Sequence, residues 1–407
     1  MRKGFVFVFA ICIAMAGCTK SQSPASPQAP AATATFTATN QPDDTATVTR
    51  TATRTVTSTQ AVSPSVTATR TATRTATRTA TRSVTLTPTR TATGTFTRTR
   101  TATPSRTPTV TQTANVIATQ TAVAVPVYSG KFGASGTGNG QFNFPTGIAV
   151  IGSSVYVTES GNKRVQKFSK TGVYQHQWGN SSSFTNPQGV AGYTGGTGDI
   201  VYVNDKDRVY RFSVSGTTVT FLNSTAPATM TDGWSGTMAQ VGGSVYFFAA
   251  DYGAHNIKRY DVSAVYSSSW GVSGNAAGQL NGPVSVAADK PDTLPAGYIY
   301  VVCASQNKVH KFTPAGVHAL TFGGTGTADG KMDMPWGAAV DSRGFVYVAD
   351  TLNHRIQKFD SEGNYLGKWG TEGTGNGQFN SPGQIAIDGD TIYVVDTWNN
   401  RIQYFSY

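Results

Sequence analysis

From residue 127 onward the chain repeats itself, and no other feature restricts its fold so strongly. Tyr347-Val348-Ala349-Asp350 is followed by Asn353-His354-Arg355-Ile356-Gln357-Lys358-Phe359 and then Trp369-Gly370. The same order recurs as Tyr393-Val394-Val395-Asp396 with Asn399-Asn400-Arg401-Ile402-Gln403-Tyr404-Phe405, and as Tyr156-Val157-Thr158-Glu159 with Asn162-Lys163-Arg164-Val165-Gln166-Lys167-Phe168 and Trp178-Gly179. Equivalent tyrosines fall at 156, 202, 246, 300, 347 and 393, so successive units are 44 to 54 residues apart. A period of that length marks a unit that buries its faces against its neighbours.

Each unit reads as four short strands. The first is small and apolar (Gly147-Ile148-Ala149-Val150; Ala338-Ala339-Val340), the second holds the tyrosine, and the third is Arg-Ile-Gln-Lys-Phe or a variant. The fourth ends in Trp178, Trp270, Phe322 or Trp369 followed by Gly, and Gly-rich segments such as 136–140 and 373–377 turn the chain into the next unit. Four-stranded units repeated around an axis make an all-β, six-bladed β-propeller. The sixth unit stops at Phe405-Ser406-Tyr407 without a fourth strand, while Val127-Tyr128-Ser129-Gly130-Lys131-Phe132-Gly133 has the pattern of the missing piece. The ring is therefore expected to close with this N-terminal strand, leaving no open edge at the seam. The lead-ins Gln141-Phe142-Asn143-Phe144-Pro145 and Gln378-Phe379-Asn380-Ser381-Pro382, with the strand pair after them, resemble the NHL-repeat family over residues 127–407. The resemblance is specific in units one, five and six and weaker in two, three and four.

The first 126 residues have a different composition. Residues 1–127 hold thirteen of the 32 Lys and Arg but only Asp43 and Asp44 of the 21 acids, so the whole formal charge of +11 lies there. The repeat region holds 19 basic and 19 acidic residues, and its neutrality argues against nucleic acid. Met1-Arg2-Lys3-Gly4 and an apolar run from Phe5 to Ala16 read as a secretory signal, residues 1–17, too short for a lasting membrane span. The run ends Met15-Ala16-Gly17-Cys18, which resembles the bacterial lipobox and so implies acylation of Cys18. Residues 18–126 are Thr, Ala, Arg, Ser, Pro and Val without an apolar cluster, with Thr-Ala-Thr-Arg recurring through Arg70, Arg74, Arg78 and Arg82. Too little apolar surface is available there to offset the entropy of ordering, so a disordered Thr-rich stalk is expected. As a coil its length is on the order of 50–60 Å, and the spaced arginines suit a spacer better than a lipid-binding patch. With Cys12 lost with the signal and Cys18 lipidated, Cys303 is the one thiol left, so no internal disulfide is expected.

The recurrent pairs Glu159/Arg164, Asp350/Arg355 and Asp396/Arg401 span the turn between second and third strands. Their recurrence favours a structural ion pair over a ligand site, because a site normally breaks symmetry. The pattern departs in unit two (Asp205 to Arg208), unit three (Asp251 with Asn256) and unit four (Cys303 with Lys308), so the turns of units three and four are the places to expect a specialised surface. Asn307, Asn353, Asn399 and Asn400 are the binding candidates, being amides on the loop face. The five histidines are scattered, with His176 and His318 on outward-facing fourth strands, His310 on a third strand, and His255 and His354 on turns. Asp251 with His255 is the one acid–His combination within reach of a single turn, a weak metal candidate. No metal, cofactor or catalytic constellation is otherwise indicated.

Three functional classes follow. The first is a lipid-anchored binding or scaffold module facing outward from the bacterial envelope, with a protein, glycan or cell-wall ligand. The second is an exported propeller enzyme of lyase or hydrolase type. The third, an RNA binder, is opposed by export and by the neutral ring. The expected partners are the membrane, through the lipid on Cys18, and a protein or glycan ligand, with a monomeric chain. Fold analogy alone does not decide among the classes.

Overall fold

The computed structural model describes residues 124–226, 229–289 and 297–407. The signal segment, Cys18 and nearly all of the stalk lie outside the described residues. The described chain forms six four-stranded antiparallel sheets. Blades 1 to 5 occupy residues 145–178, 187–224, 233–270, 283–323 and 337–369, each with its strands in chain order. Blade 6 is assembled from both ends of the region, in the order Val127–Phe132, Arg401–Ser406, Thr391–Asp396, Pro382–Asp388. Tyr128 stands opposite Phe405, and Phe132 opposite Ile402.

The middle strands are buried on both faces. Ser154–Glu159, Ile299–Cys303 and Val346–Asp350 hold no exposed residue, whereas the outer strands are mostly half-exposed. A strand lying between neighbouring blades has apolar contacts on either side, so Val, Ile and Tyr run without alternation. The apolar side chains collect into one cluster per interface. Val155, Val157 and Phe168 of blade 1 meet Tyr393, Val395 and Ile402 of blade 6, and the other five pairs of neighbours pack alike.

The recurrent acid–Arg pair does more than join its own hairpin. Glu159 accepts from Arg164 Nε at 2.5 Å, Gln166 Nε2 at 2.7 Å, Asn162 Nδ2 at 2.6 Å and the Asn143 backbone N–H at 2.9 Å. The Arg164 guanidinium then donates to the carbonyls of Thr137, Gly138 and Gln141. Asp350 with Arg355 and Asp396 with Arg401 repeat this arrangement on their own lead-ins. The unit is therefore a clamp that fixes the Gly-rich loop before its blade. The glycine closing the outer strand of every blade but the second serves the same loop: a Cβ on Gly370 (φ +97°) would run into the Phe379 ring of the next lead-in.

Three blades modify the clamp. In blade 2, Arg208 turns to Asp207 at 2.9 Å, while Asp205 accepts the backbone N–H groups of Thr185 and Asn186. The shortened turn thus aims the Asp205 and Arg208 side chains apart, in keeping with the departure of unit two from the pair pattern. In blade 3, Lys258 replaces the missing arginine, with its Nζ 3.0 Å from Asp251. In blade 4 the cluster has no carboxylate. Cys303 occupies the acid position, and Gln306 accepts from the Asn281 N–H at 3.1 Å and donates to the carbonyls of Gly274 and Gln279.

Candidate functional site

The ring has two faces. The upper one carries the lead-in loops and the second–third turns; the lower one carries the remaining hairpin turns. Each turn places one residue in the left-handed region, among them His255 (φ 54°), Asn307 (56°), His354 (53°) and Asn400 (51°). From there the side chain reaches the next blade. Asn400 Oδ1 accepts the Phe144 N–H at 2.8 Å and Asn307 Oδ1 the Met334 N–H at 2.7 Å. His354 Nδ1 accepts from Ser381 and His255 Nδ1 from Gly282, both at 3.1 Å. The donor is in each case the residue before a proline, itself at φ 48° to 62°, whose N–H has no strand partner. These contacts staple four of the six interfaces.

The sequence candidates are mostly engaged in this scaffold. Asn353 Nδ2 donates to Asp350 and to the Gly326 carbonyl, and Asn399 Nδ2 to Asp396 and the Gly373 carbonyl. Asn307 adds a bond from Nδ2 to Thr325 at 3.0 Å. Asp251 and His255 are not brought onto a common point. Asp251 is fully buried, holding Lys258 and the backbone N–H groups of Thr231, Asp232 and Ala254, while His255 faces Gly282. Among the described residues no three His, Cys, Asp or Glu side chains are grouped to hold a metal ion. Cys303 is a buried small side chain, and burial pushes its thiol up to about 12. His310 is 1% exposed, and burial lowers its pKa to about 4, with help from the nearby His318 and Lys308 charges. Its Nε2 faces Gln306 at 3.0 Å and its Nδ1 faces Thr321, which also meets His318 at 2.8 Å.

What the upper face presents at its centre is aromatic. Trp234 of blade 3 and Trp336, just before the first strand of blade 5, meet edge-to-face across the axis, ring centroids 5.5 Å apart, with Tyr252 against Trp234 at 5.8 Å. Phe144 and Trp398 form a second pair at 5.3 Å, and Leu352 is exposed nearby in sequence on an equivalent turn. Beneath the tryptophans the throat narrows to about 10 Å³ between Thr146, Gln188, Ser235 and Gln384, room for one water. Two carboxyls lie in the lead-ins here. Asp232 is held above the usual range by burial while accepting from Trp234 Nε1 at 3.3 Å. Asp333 is raised by burial and by the charge of Asp350. A raised carboxyl suits a general acid; both of these are accounted for by the aromatic cap and the clamp beside them. Sequence reading missed the tryptophans, although they occupy the position after the lead-in where blades 1 and 2 have Thr146 and Gln188.

Below the throat the axis widens into a cavity of about 1180 Å³, lined by first strands of all six blades and open on the lower face. The lower rim has staples of its own, running from one blade to the third–fourth turn of the next. Lys167 Nζ reaches the Gly216 carbonyl at 3.3 Å, Lys311 Nζ the Ser361 carbonyl at 2.6 Å, and the Tyr393 hydroxyl the Lys170 carbonyl at 2.8 Å. Lys358, lying over Phe345 and Tyr407, reaches the carbonyl of Ala124 at 3.3 Å, and burial lowers its pKa to about 8.

This geometry defines a six-bladed β-propeller with two unlike mouths. Residues 142–168 and 332–359, in blades 1 and 5, match the NHL repeat, so the propeller carries NHL repeats. A structural genomics protein of unknown function from Bacteroides thetaiotaomicron has a similar fold, with 18% identity and a TM-score of 0.53 over 68% of this chain and 76% of that one. An auxiliary nutrient binding protein of the same organism aligns at 15% identity and TM-score 0.48, covering 70% and 75% of the two chains. Virginiamycin B lyase from Staphylococcus aureus aligns at 13% and 0.44, covering 65% and 94%. No curated protein matches this chain.

Proposed function

We propose that this chain is a lipid-anchored binding module of the bacterial cell envelope, held by an acyl group on Cys18 and facing outward on its Thr-rich stalk. Its upper face docks a protein, glycan or cell-wall ligand. The observation that carries this reading is the aromatic surface of Phe144, Trp398, Tyr252, Trp336 and Leu352, set among amides already fixed by the scaffold. Rigid aromatic side chains supply large contact area at low entropic cost, and their faces suit both apolar anchors and sugar rings. The clamps and staples hold that surface in one shape before a partner arrives, which reduces the ordering cost of binding.

Two measurements test the proposal. Cys18→Ala is expected to move the protein out of the detergent phase on fractionation or to block its maturation; unchanged partitioning removes the anchor from the account. Phe144→Ala with Trp398→Ala is expected to abolish retention of envelope extracts on immobilised protein, while substitutions on the lower rim leave it intact. Equal loss from both faces, or turnover of an extract component by the protein, would overturn the binding reading.

A further inference from the structure

We infer that the axial cavity beneath the tryptophan cap is a second binding site, for a small molecule that carries no negative charge. Trp234 and Trp336 line the narrow throat at its upper end, and its lining runs down to the first–second turns at Gly152 and Gly389 on the lower face, away from the docking surface proposed above. Its wall is built from Ile148, Val150, Val190, Met238, Val286 and Ile387, and the described shaft between floor and rim contains no ionisable side chain. Of the described acids at the rim, Asp341 is matched to Arg343 at 2.8 Å and Asp388 to Lys170 at 2.7 Å, while Asp289 is buried with its Oδ1 unpartnered. An anionic ligand would therefore lose its hydration without gaining a counter-charge.

The floor has open hydrogen-bonding positions. Gln384 Nε2 is committed to the Trp336 carbonyl and its Oε1 to Ser285, whereas the Ser235 hydroxyl and the Gln188 side-chain amide, in residues only 7% and 8% exposed, have no partner among the described residues. Ser235 lines both the cavity and the throat, so its hydroxyl lies where a ligand's leading polar group would arrive. The first strands are sheet edges, so their unpaired backbone N–H and C=O groups also face the shaft and can bond polar groups of a ligand. The volume suits a drug-sized ligand, and staples on both rims keep it formed when empty.

The test compares two fluorophores with one carbon skeleton, using the full chain carrying Cys18→Ala so that no detergent competes. N-phenyl-1-naphthylamine is neutral with a single N–H; 8-anilino-1-naphthalenesulfonate is its anionic sulfonate. The neutral probe is expected to saturate at one site per chain and to bind at least about tenfold more tightly than the sulfonate. Ile387→Lys should weaken the neutral probe by about tenfold or more. Ser235→Ala should weaken it by about threefold, and Trp398→Ala should leave it unchanged. If Ile387→Lys does not fold, the ratio of the two probes and Ser235→Ala still decide. Equal affinity for the two probes, absence of saturable binding, or loss with Trp398→Ala would overturn the inference. That last result leaves the upper-face proposal standing, whereas loss of envelope retention alone leaves this one standing.

Discussion

The upper and lower faces of the ring are stapled by different chemistry, and the difference separates scaffold from candidate surface. On the upper face, buried carboxylates gather an arginine, two amides and a backbone N–H, so almost every polar group singled out by its recurrence is consumed internally. The aromatic side chains are what remains for a partner. On the lower face, single lysines and tyrosines reach one carbonyl each, lying over aromatic rings as they go. A carboxylate that organises four donors cannot be lost cheaply, whereas a lysine that reaches one carbonyl can.

The largest effect expected from this contrast is on the upper face. Asp350→Ala removes the acceptor of Arg355, Asn353, Gln357 and the Asp333 N–H, leaving a buried guanidinium without its counter-charge. A cost of about 3–5 kcal/mol is expected in denaturant unfolding. A loss below about 1 kcal/mol would show that the clamp is dispensable.

The second effect distinguishes blade 4 from the other clamps. His310 stands where blades 1, 5 and 6 have Gln166, Gln357 and Gln403, and its folded pKa of about 4 lies below the ordinary 6.5. Between those values the unfolded chain binds a proton that the folded chain does not, so stability rises with pH across that window and falls on acidification. The loss from pH 6.5 to 4 attributable to this group is on the order of 3 kcal/mol. His310→Gln should remove that part of the pH dependence, as read from thermal melts at pH 4.5 and 7. An unchanged difference between the two melts would place the acid sensitivity elsewhere.

The smallest effect is on the lower face. Lys311→Met keeps the stem over Tyr298 but gives up the bond to the Ser361 carbonyl and the 3.5 Å ion pair with the exposed Glu362, and about 1 kcal/mol is expected. A cost equal to that of Asp350→Ala would erase the contrast between the faces.

Much of the ring was legible in the sequence, because each blade repeats a pattern whose burial is local. Five of the six tyrosines mark equivalent buried positions of second strands; in blade 3 Phe248 takes that position and Tyr246 lies two residues before it, half-buried. The spacing of Asp350 to Arg355 is that of a pair facing each other across a short turn. The inter-blade contacts were not legible. Asn400 and His354 bond to the next blade only because a left-handed turn aims them there and because the residue before proline has an unpaired N–H. Neither condition is visible in the identity of the residues. The throat was hidden for a related reason: Trp234 and Trp336 are 102 residues apart, in blades that are not neighbours, and meet only because the ring brings first strands to its axis. Blade 2 was legible as a departure, but not its outcome: the shortened turn keeps the residue types of the clamp while changing their direction.

Two adjacent residues allow the most direct test of the division between scaffold and surface. Asn399 gives its amide to Asp396 and to the Gly373 carbonyl, while Trp398 packs against Phe144 on the upper face. Retention of envelope extract and melting temperature would be measured together for Asn399→Ala and Trp398→Ala, with retention assayed well below either melting point. The account predicts that Asn399→Ala melts lower yet retains ligand normally, and that Trp398→Ala loses retention with little change in melting. Lost retention with Asn399→Ala and full retention with Trp398→Ala would contradict it.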